Sequence, residues 1–161
     1  MIRKHKRYSR PRKMFDKVRI EEENEIVERY GLKNKREIWK ADARIDDLRR
    51  QAKKLITSNT EQQEKFFEKL RKMGLRADKI DDVLSLGKED WLKRRLQSIL
   101  SEKKLAKTPK EARQLIAHKH VAIDGNIVNV PSYVVPVDEE DKITLVKVKT
   151  KEMAMEKKKN E

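Results

Sequence analysis

Cysteine is absent from the 161-residue chain. That excludes a disulfide framework, a cysteine-ligated zinc site and thiol catalysis, and it fits a reducing compartment. Glycine is scarce, at four residues, and no Gly-rich loop of the kind that cradles nucleotide phosphates occurs. Apolar residues are also few. Only 36% of the chain is hydrophobic against 43% charged, so any core is small and part of the chain is expected to stay extended until a partner neutralises it. No stretch approaches the ~18 apolar residues that a spanning helix needs. The basic start, MIRKHKRYSRPRK, is followed by no apolar run and does not read as a secretory signal, so no membrane partner is expected. There is no Ser-His-Asp set and no isolated carboxylate pair with catalytic logic. The two neighbouring histidines, His118 and His120, have no cysteine or carboxylate cluster beside them and make a poor metal site. The chain is read as neither an enzyme nor a holder of cofactor or metal.

What the chain does have is positive charge. Lys and Arg number 42 against 28 Asp and Glu, for a formal net charge of +14. A polyanion is the partner this implies. The charge alternates along the chain: net +9 over residues 1–56, −1 over 57–90, +7 over 91–121, −4 over 122–146 and +3 over 147–161. Alternation suits discrete binding faces better than a uniformly solvated basic surface.

Residues 1–15 read as a basic extended arm, with seven Lys or Arg and with Tyr8, Pro11 and Phe15 interspersed. Alone it should be disordered, because self-repulsion opposes collapse; on a phosphate backbone it could order. A helix is predicted from about Val18 to Tyr30, ended by Gly31. A longer one runs from about Lys35 to Ile56. Its apolar positions Ile38, Ala41, Ile45, Leu48, Ala52 and Leu55 form one narrow stripe, and Arg36, Lys40 and Arg44 form a separate basic ridge at i, i+4, i+8. The stripe suits packing inside a helical domain better than a coiled-coil dimer, given alanine at two positions and so few repeats. Further helices are predicted over Glu61 to Met73, stopped by Gly74, and over Ala77 to Leu84. Trp39 and Trp91 read as core or interface residues rather than stacking platforms.

After Gly87 a single helix is predicted from about Glu89 to Ser101. Leu92, Leu96, Ile99 and Leu100 lie on one face, Arg94 projects from the opposite face and Arg95 from its flank. Thr108-Pro109-Lys110-Glu111 then reads as a capping box with proline at the first helical position. That helix runs to about His118, with Ala112, Leu115 and Ile116 toward a core and Lys110, Arg113 and Gln114 on the other side. The period changes to two at Val121 and Ile123, Gly125-Asn126 turns the chain, and Ile127 to Val130 returns. Lys142 to Val148 reads as a last strand. The acidic run Asp138 to Asp141 reads as a solvated loop. The fold class is therefore α+β: a mainly helical N-terminal region plus two helices on a short antiparallel sheet. The polar helix faces suit duplex RNA, which proteins read through phosphates, 2′-hydroxyls and shape. Two arginines converging across this helix pair, Arg94 and Arg113, would need an anion between them. A phosphate is the expected one, with a second at the capped N-terminus at Thr108.

At these residues the chain resembles a known family. The run WLKRRLQSILSEKKLAKTPKEARQLIAHKHVAIDGNIVNVPSYVV is similar to the S4 RNA-binding domain. Tyr30 to Trp39 (YGLKNKREIW), Asp82 to Leu86 (DVLSL) and Glu89-Asp90 resemble the archaeal and eukaryotic branch of the small-subunit ribosomal protein S4 family. The resemblance covers roughly residues 15–146. Some bacterial members carry a cysteine-ligated zinc, which this chain cannot. Many members have glycine before the second histidine of the helix-to-strand turn, where this chain has Lys119, which leaves that turn's geometry open.

The resemblance implies a structural constituent of the small ribosomal subunit, cytoplasmic and within the ribosome. Such a protein binds a helical junction in the 5′ domain of small-subunit ribosomal RNA, supports subunit assembly and translational accuracy, and lies beside protein S5 near the messenger RNA entrance. The alternative is a ribosome-biogenesis factor with the same domain. The expected organisation is an arm (1–15), a helical region (16–88), an S4 RNA-binding domain (89–148) and a mobile tail (149–161). The candidate RNA-binding residues in the arm are Arg3, Lys4, Lys6, Arg7, Arg10, Arg12 and Lys13. Around the long helix they are Lys33, Asn34, Lys35, Arg36, Lys40 and Arg44. In the C-terminal unit they are Arg94, Arg95, Lys107, Thr108, Lys110, Arg113, Gln114, His118, Lys119 and His120.

Overall fold

The computed structural model describes residues 6 and 8–146. Arg3, Lys4, Arg7 and the C-terminal tail lie outside the described residues. The chain is α+β. Helix α1 (Lys17–Arg29) is followed by α2 (Arg36–Leu55), α3 (Thr60–Lys72) and α4 (Ile80–Ser85). Then come α5 (Lys88–Lys93), α6 (Leu96–Glu102), α7 (Pro109–Ala117), β1 (Val121–Ile123), β2 (Asn126–Ile127), α8 (Val137–Glu140) and β3 (Ile143–Leu145).

The α2 stripe does what its spacing predicts. Ile38, Ala41, Ile45, Leu48 and Ala52 are buried within the chain itself, and Leu55 is half-buried at the end of the row. Ile45 and Ala52 meet Phe66 and Leu70 of α3, Val83 of α4, and Leu75 and Ala77 between them. Each of the larger side chains contributes about 1.5–3 kcal/mol of burial, and each alanine less. The upper end of the stripe, Ile38 and Ala41, packs with Ile26 and Tyr30 of α1 and with Leu92 of α5. Leu92 thereby ties the C-terminal unit to the helical region. A third cluster joins Leu96, Ile99 and Leu100 of α6 to Ala112 and Ile116 of α7, and to Val121, Ile123, Val135 and Ile143 around the sheet.

Four helices end in the same way. Gly31 and Gly74 take φ of +57° and +72°. Leu32 N–H then bonds back to Val27 O at 2.9 Å, and Leu75 N–H to Leu70 O at 3.0 Å. These left-handed caps satisfy carbonyls that the helix leaves open. Helices α6 and α7 end identically without glycine: Lys104 and Lys119 take φ +57° and +64°, Leu105 N–H reaches Leu100 O at 3.0 Å and His120 N–H reaches Leu115 O at 2.9 Å. The departure at Lys119 therefore preserves the turn, at the steric cost of a Cβ in that region.

The predicted single helix after Gly87 is two. The chain breaks at the arginine pair, where Arg95 is extended (φ −76°, ψ 144°) and bridges Val134 like a strand residue. Leu96 N–H donates to Tyr133 O at 2.8 Å and Val135 N–H to Arg94 O at 3.1 Å, so the returning segment replaces the lost helical bonds. The sheet order is β2-β1-β3, antiparallel throughout. Its hairpin turns at Asp124-Gly125, one residue earlier than predicted. Both take positive φ, 50° and 78°, as a two-residue hairpin of this hand requires. The last strand spans Ile143–Leu145, within the predicted Lys142 to Val148, whose last two residues lie outside the described ones. The acidic run is not merely a solvated loop. It forms α8, where Glu140 pairs with Arg94, Asp141 with Lys103 at 3.0 Å, and Glu139 accepts from Tyr133 Oη at 2.8 Å.

Candidate nucleic-acid interface

Helix α2 presents its stripe to the core, so its ridge of Arg36, Lys40 and Arg44 is left outside and exposed. Beside this ridge lies a cleft of about 820 Å³ between α2, the arm and the C-terminal unit. Its lining includes Lys6 and Tyr8 of the arm, Asn34, Lys40 and Arg44 at α2, Arg95 and Arg113 from the C-terminal unit, and the loop Pro131-Ser132. Five basic side chains thus face one acid, Glu37. Tyr8 lies against Trp39, ring centres 6.4 Å apart, and Lys40 Nζ stands 5.9 Å over the Tyr8 ring. Arg19 Nη2 donates to the carbonyls of Lys13 and Met14, which holds the root of the arm.

Glu37 is the centre of the cleft floor. Its Oε2 accepts from Arg95 Nη2 at 2.5 Å and its Oε1 from Arg113 Nη2 at 3.0 Å. Burial pushes its carboxyl up, but the hydrogen bonds from Arg113 and Arg95 outweigh this and hold it below the ordinary carboxylate range. Gln97, fully buried, shares its two Nε2 hydrogens among the carbonyls of Tyr30, Gly31 and Pro109 at 2.9–3.0 Å and accepts from Arg113 Nη1 through Oε1. It joins α1, α6 and α7 at one point. Gly31 is required there: a Cβ would stand 2.9 Å from Pro109 and Lys110 backbone atoms.

The expected anion between two converging arginines exists, but it is this carboxylate and its partners are Arg95 and Arg113. Arg94 does not project into solvent. Its side chain is 16% exposed, donating to Met73 O at 2.9 Å and Val135 O at 2.8 Å and pairing with Glu140. Its guanidinium lies against Gly74, where a Cβ would be 2.3 Å from Cζ. Arg95 is buried rather than on a helix flank. At the predicted phosphate seat Thr108 and Lys110 are exposed, and part of the helix N-terminus is engaged by the chain itself. Thr108 Oγ1 accepts from Glu111 N–H, Glu111 Oε2 accepts from Lys107 N–H at 2.8 Å, and the Gly31 backbone stands over Pro109 and Lys110.

The remaining candidates divide by their partners. Lys35 is half-buried, donating to Ile20 O and pairing with Glu23 at 3.5 Å. Glu23 is itself buried. Burial raises its carboxyl, and bonds from Trp39 and Arg19 overcome this and lower it. Tyr30 is pushed up to about 12 by burial and by Glu89. Among the described residues, Lys33, Arg36, Lys40, Arg44, Lys107, Lys110 and Lys119 are exposed and make no ion pair. Arg10, Arg12, Lys13, Gln114 and His118 are exposed and His120 half-buried, and none of these lines the cleft. The residues that sequence reasoning did not select are Glu37, Gln97, Tyr8 and Ser132. The available signal for Glu37 was its position as the lone acid between Lys33 and Lys40.

Comparison with known proteins places this geometry in context. Residues 94–141 match the family model described as S4 domain. A relative from Methanococcus aeolicus, "Small ribosomal subunit protein uS4", is 47% identical over 146 residues, covering 86% of this chain and 82% of that protein. Proteins of the same name from Thermoplasma volcanium and Halobacterium salinarum are 45% and 42% identical, covering 86% and 83% of this chain and 74% and 81% of their own lengths.

Proposed function

Because the chain belongs to the family of small ribosomal subunit protein uS4, we propose that it is a structural, non-enzymatic constituent of the small ribosomal subunit. It binds small-subunit ribosomal RNA at a helical junction of the 5′ domain, seating the RNA backbone in the cleft between arm, α2 and C-terminal unit. The observation that carries this reading is convergence: Lys6, Lys40 and Arg44, Arg95 and Arg113 come from separate stretches of sequence and line one cleft. Phosphates give RNA affinity, and a duplex is read by shape rather than base edges, so a cationic cleft with Asn34 and Ser132 as hydroxyl partners is the required chemistry. The roles in subunit assembly and decoding accuracy, the neighbours S5 and messenger RNA near its entrance, and the cytoplasmic location belong to the same proposal and rest on family membership.

Binding of the full chain to a 5′-domain transcript at several salt concentrations tests it. Replacing Lys40 and Arg44 by Ala flattens the log–log salt slope by about 1.8, at about 0.9 per phosphate on the duplex coefficient. An unchanged slope and affinity would remove RNA from the cleft. Retention on finished small subunits after a high-salt wash supports a resident protein, and its loss would favour an assembly factor.

A further inference from the structure

A carboxylate is the wrong sign for a cleft that takes a polyanion. Glu37 lines that cleft with its side chain 13% exposed, where it repels an incoming phosphate. It is nonetheless the most heavily bonded group there. It takes Arg95 Nη2 at 2.5 Å, Arg113 Nη2 at 3.0 Å, Arg113 Nη1 at 3.3 Å and Lys33 N–H at 3.3 Å. Arg113 Nη1 also donates to Gln97 Oε1 at 3.2 Å. Of the five N–H donors of a guanidinium, the Nε–H and the second hydrogen of Nη2 stay unspent in a side chain that is 27% exposed and lines the cleft.

Granted the RNA seat above, on which this rests, we infer that Glu37 is a positioning residue for RNA recognition: it fixes the Arg113 guanidinium across the α2–α7 junction so that its unspent donors meet a phosphate already oriented. Arg95, buried with it, supplies the second cation that keeps the carboxylate ionised while Arg113 is shared with RNA. A long side chain ordered only on binding loses conformational freedom at that moment. One ordered by the fold has lost it beforehand.

The inference fixes a sign opposite to that of charge alone. Glu37→Gln raises the net charge of the cleft by one. Charge alone then tightens RNA binding and steepens its salt dependence. Positioning weakens binding roughly 2- to 12-fold, the equivalent of about 0.5–1.5 kcal/mol for ordering one side chain, and flattens the slope by up to about 0.9.

The experiment is a double-mutant cycle in the full chain, with Glu37→Gln, Arg113→Ala and both, read as affinity for the 5′-domain transcript across salt. The expected result is that Arg113→Ala costs clearly less in the Glu37→Gln background than in the native one. Equal cost in both backgrounds, or binding by Glu37→Gln as tight as native or tighter, would overturn it. Should Glu37→Gln fail to fold because it strands the Arg95 charge, the pair Glu37→Gln with Arg95→Met removes both buried charges and takes its place in the cycle. Lys40→Ala with Arg44→Ala, which touch neither Glu37 nor Arg113, separate the two readings. If these weaken binding and the cycle shows no coupling, the positioning role alone fails; if these too are silent, the RNA seat fails and the positioning role with it.

Discussion

Arg94→Ala distinguishes an arginine that crosslinks the protein from one that binds RNA. Its guanidinium donates to Met73 O and Val135 O, pairs with Glu140 and covers Gly74. Those partners come from the end of α3, the segment after the sheet hairpin, and α8, so one side chain joins three places. Hydrogen bonds from a charged donor are worth about 1.5–3 kcal/mol each, and an acceptor left buried without a partner costs about 1–3 kcal/mol. These terms overlap, because the truncation removes the donor and strands the acceptors in one step. A total loss of about 2–4 kcal/mol is reasonable. At about 2–4 °C per kcal/mol for a chain of this size, Tm falls by roughly 4–16 °C. Circular dichroism at 222 nm reads the melt without RNA. The salt slope of RNA binding, measured well below the lowered Tm, stays at its native value because no phosphate contact is lost. A native Tm combined with a slope flattened by about 0.9 would show that Arg94 faces RNA and that the crosslink is wrong.

Ile45→Asp places an unpaired carboxylate where Ile45 has no exposure, and it abolishes the helical signal of the N-terminal region at 25 °C; retained native ellipticity would refute the buried stripe. Lys119→Gly removes the Cβ from a φ of +64°. A left-handed residue costs about 1–2 kcal/mol and the added unfolded-state freedom of glycine about 0.4–1 kcal/mol, so Tm rises by up to about 6 °C, and a fall would place strain elsewhere. Glu23 and Glu37 have folded-state pKa values below the ordinary 4.5, so their contribution is fully present above about that pH and is lost as pH falls through the folded values. Melting temperature therefore declines on acidification below pH ~4.5, and Glu23→Gln makes that decline shallower; a decline of native steepness in the variant would remove Glu23 from the linkage.

The regular parts of the fold were legible because their causes are local. The α2 stripe follows from its 3–4 spacing, and the start of α7 from a Thr-Pro-Lys-Glu cap. Glycine at 31 and 74 marks helix ends because a left-handed residue is needed there. The break at Arg94-Arg95 was not legible, for a definable reason. Leu92, Leu96, Ile99 and Leu100 satisfy a continuous helix as well as two short ones, and the choice is made by Val134 and Tyr133, which arrive from beyond the hairpin to take the backbone bonds. The hairpin was misplaced by one residue because Asp124-Gly125 and Gly125-Asn126 both carry turn chemistry.

The destinations of the basic side chains divide along a chemical line that the composition conceals. Arginine has a planar fork that can bind several acceptors at once, whereas lysine is a strongly hydrated point charge. At the junctions of this chain the fork is used inward: Arg94 on two carbonyls and a carboxylate, Arg95 and Arg113 on Glu37, Arg49 on Leu86 O. Among the candidate residues outside the arm, the exposed ones without ion pairs are mostly lysines, 33, 40, 107, 110 and 119, with Arg36 and Arg44 on the α2 ridge. A net charge of +14 therefore overstates what is available to RNA and understates what holds the fold together. The acids that look misplaced in so basic a chain, Glu23, Glu37 and Glu140, are what convert part of that charge into internal structure. Lysine at position 113 would keep the charge but could not span both Glu37 oxygens and Gln97 in one plane. Arg113→Lys should therefore weaken RNA binding nearly as much as Arg113→Ala, while the same exchange at Arg44, which faces solvent, should leave the affinity close to native. Equal tolerance at the two positions would show that only charge, and not the fork, is being used in the cleft.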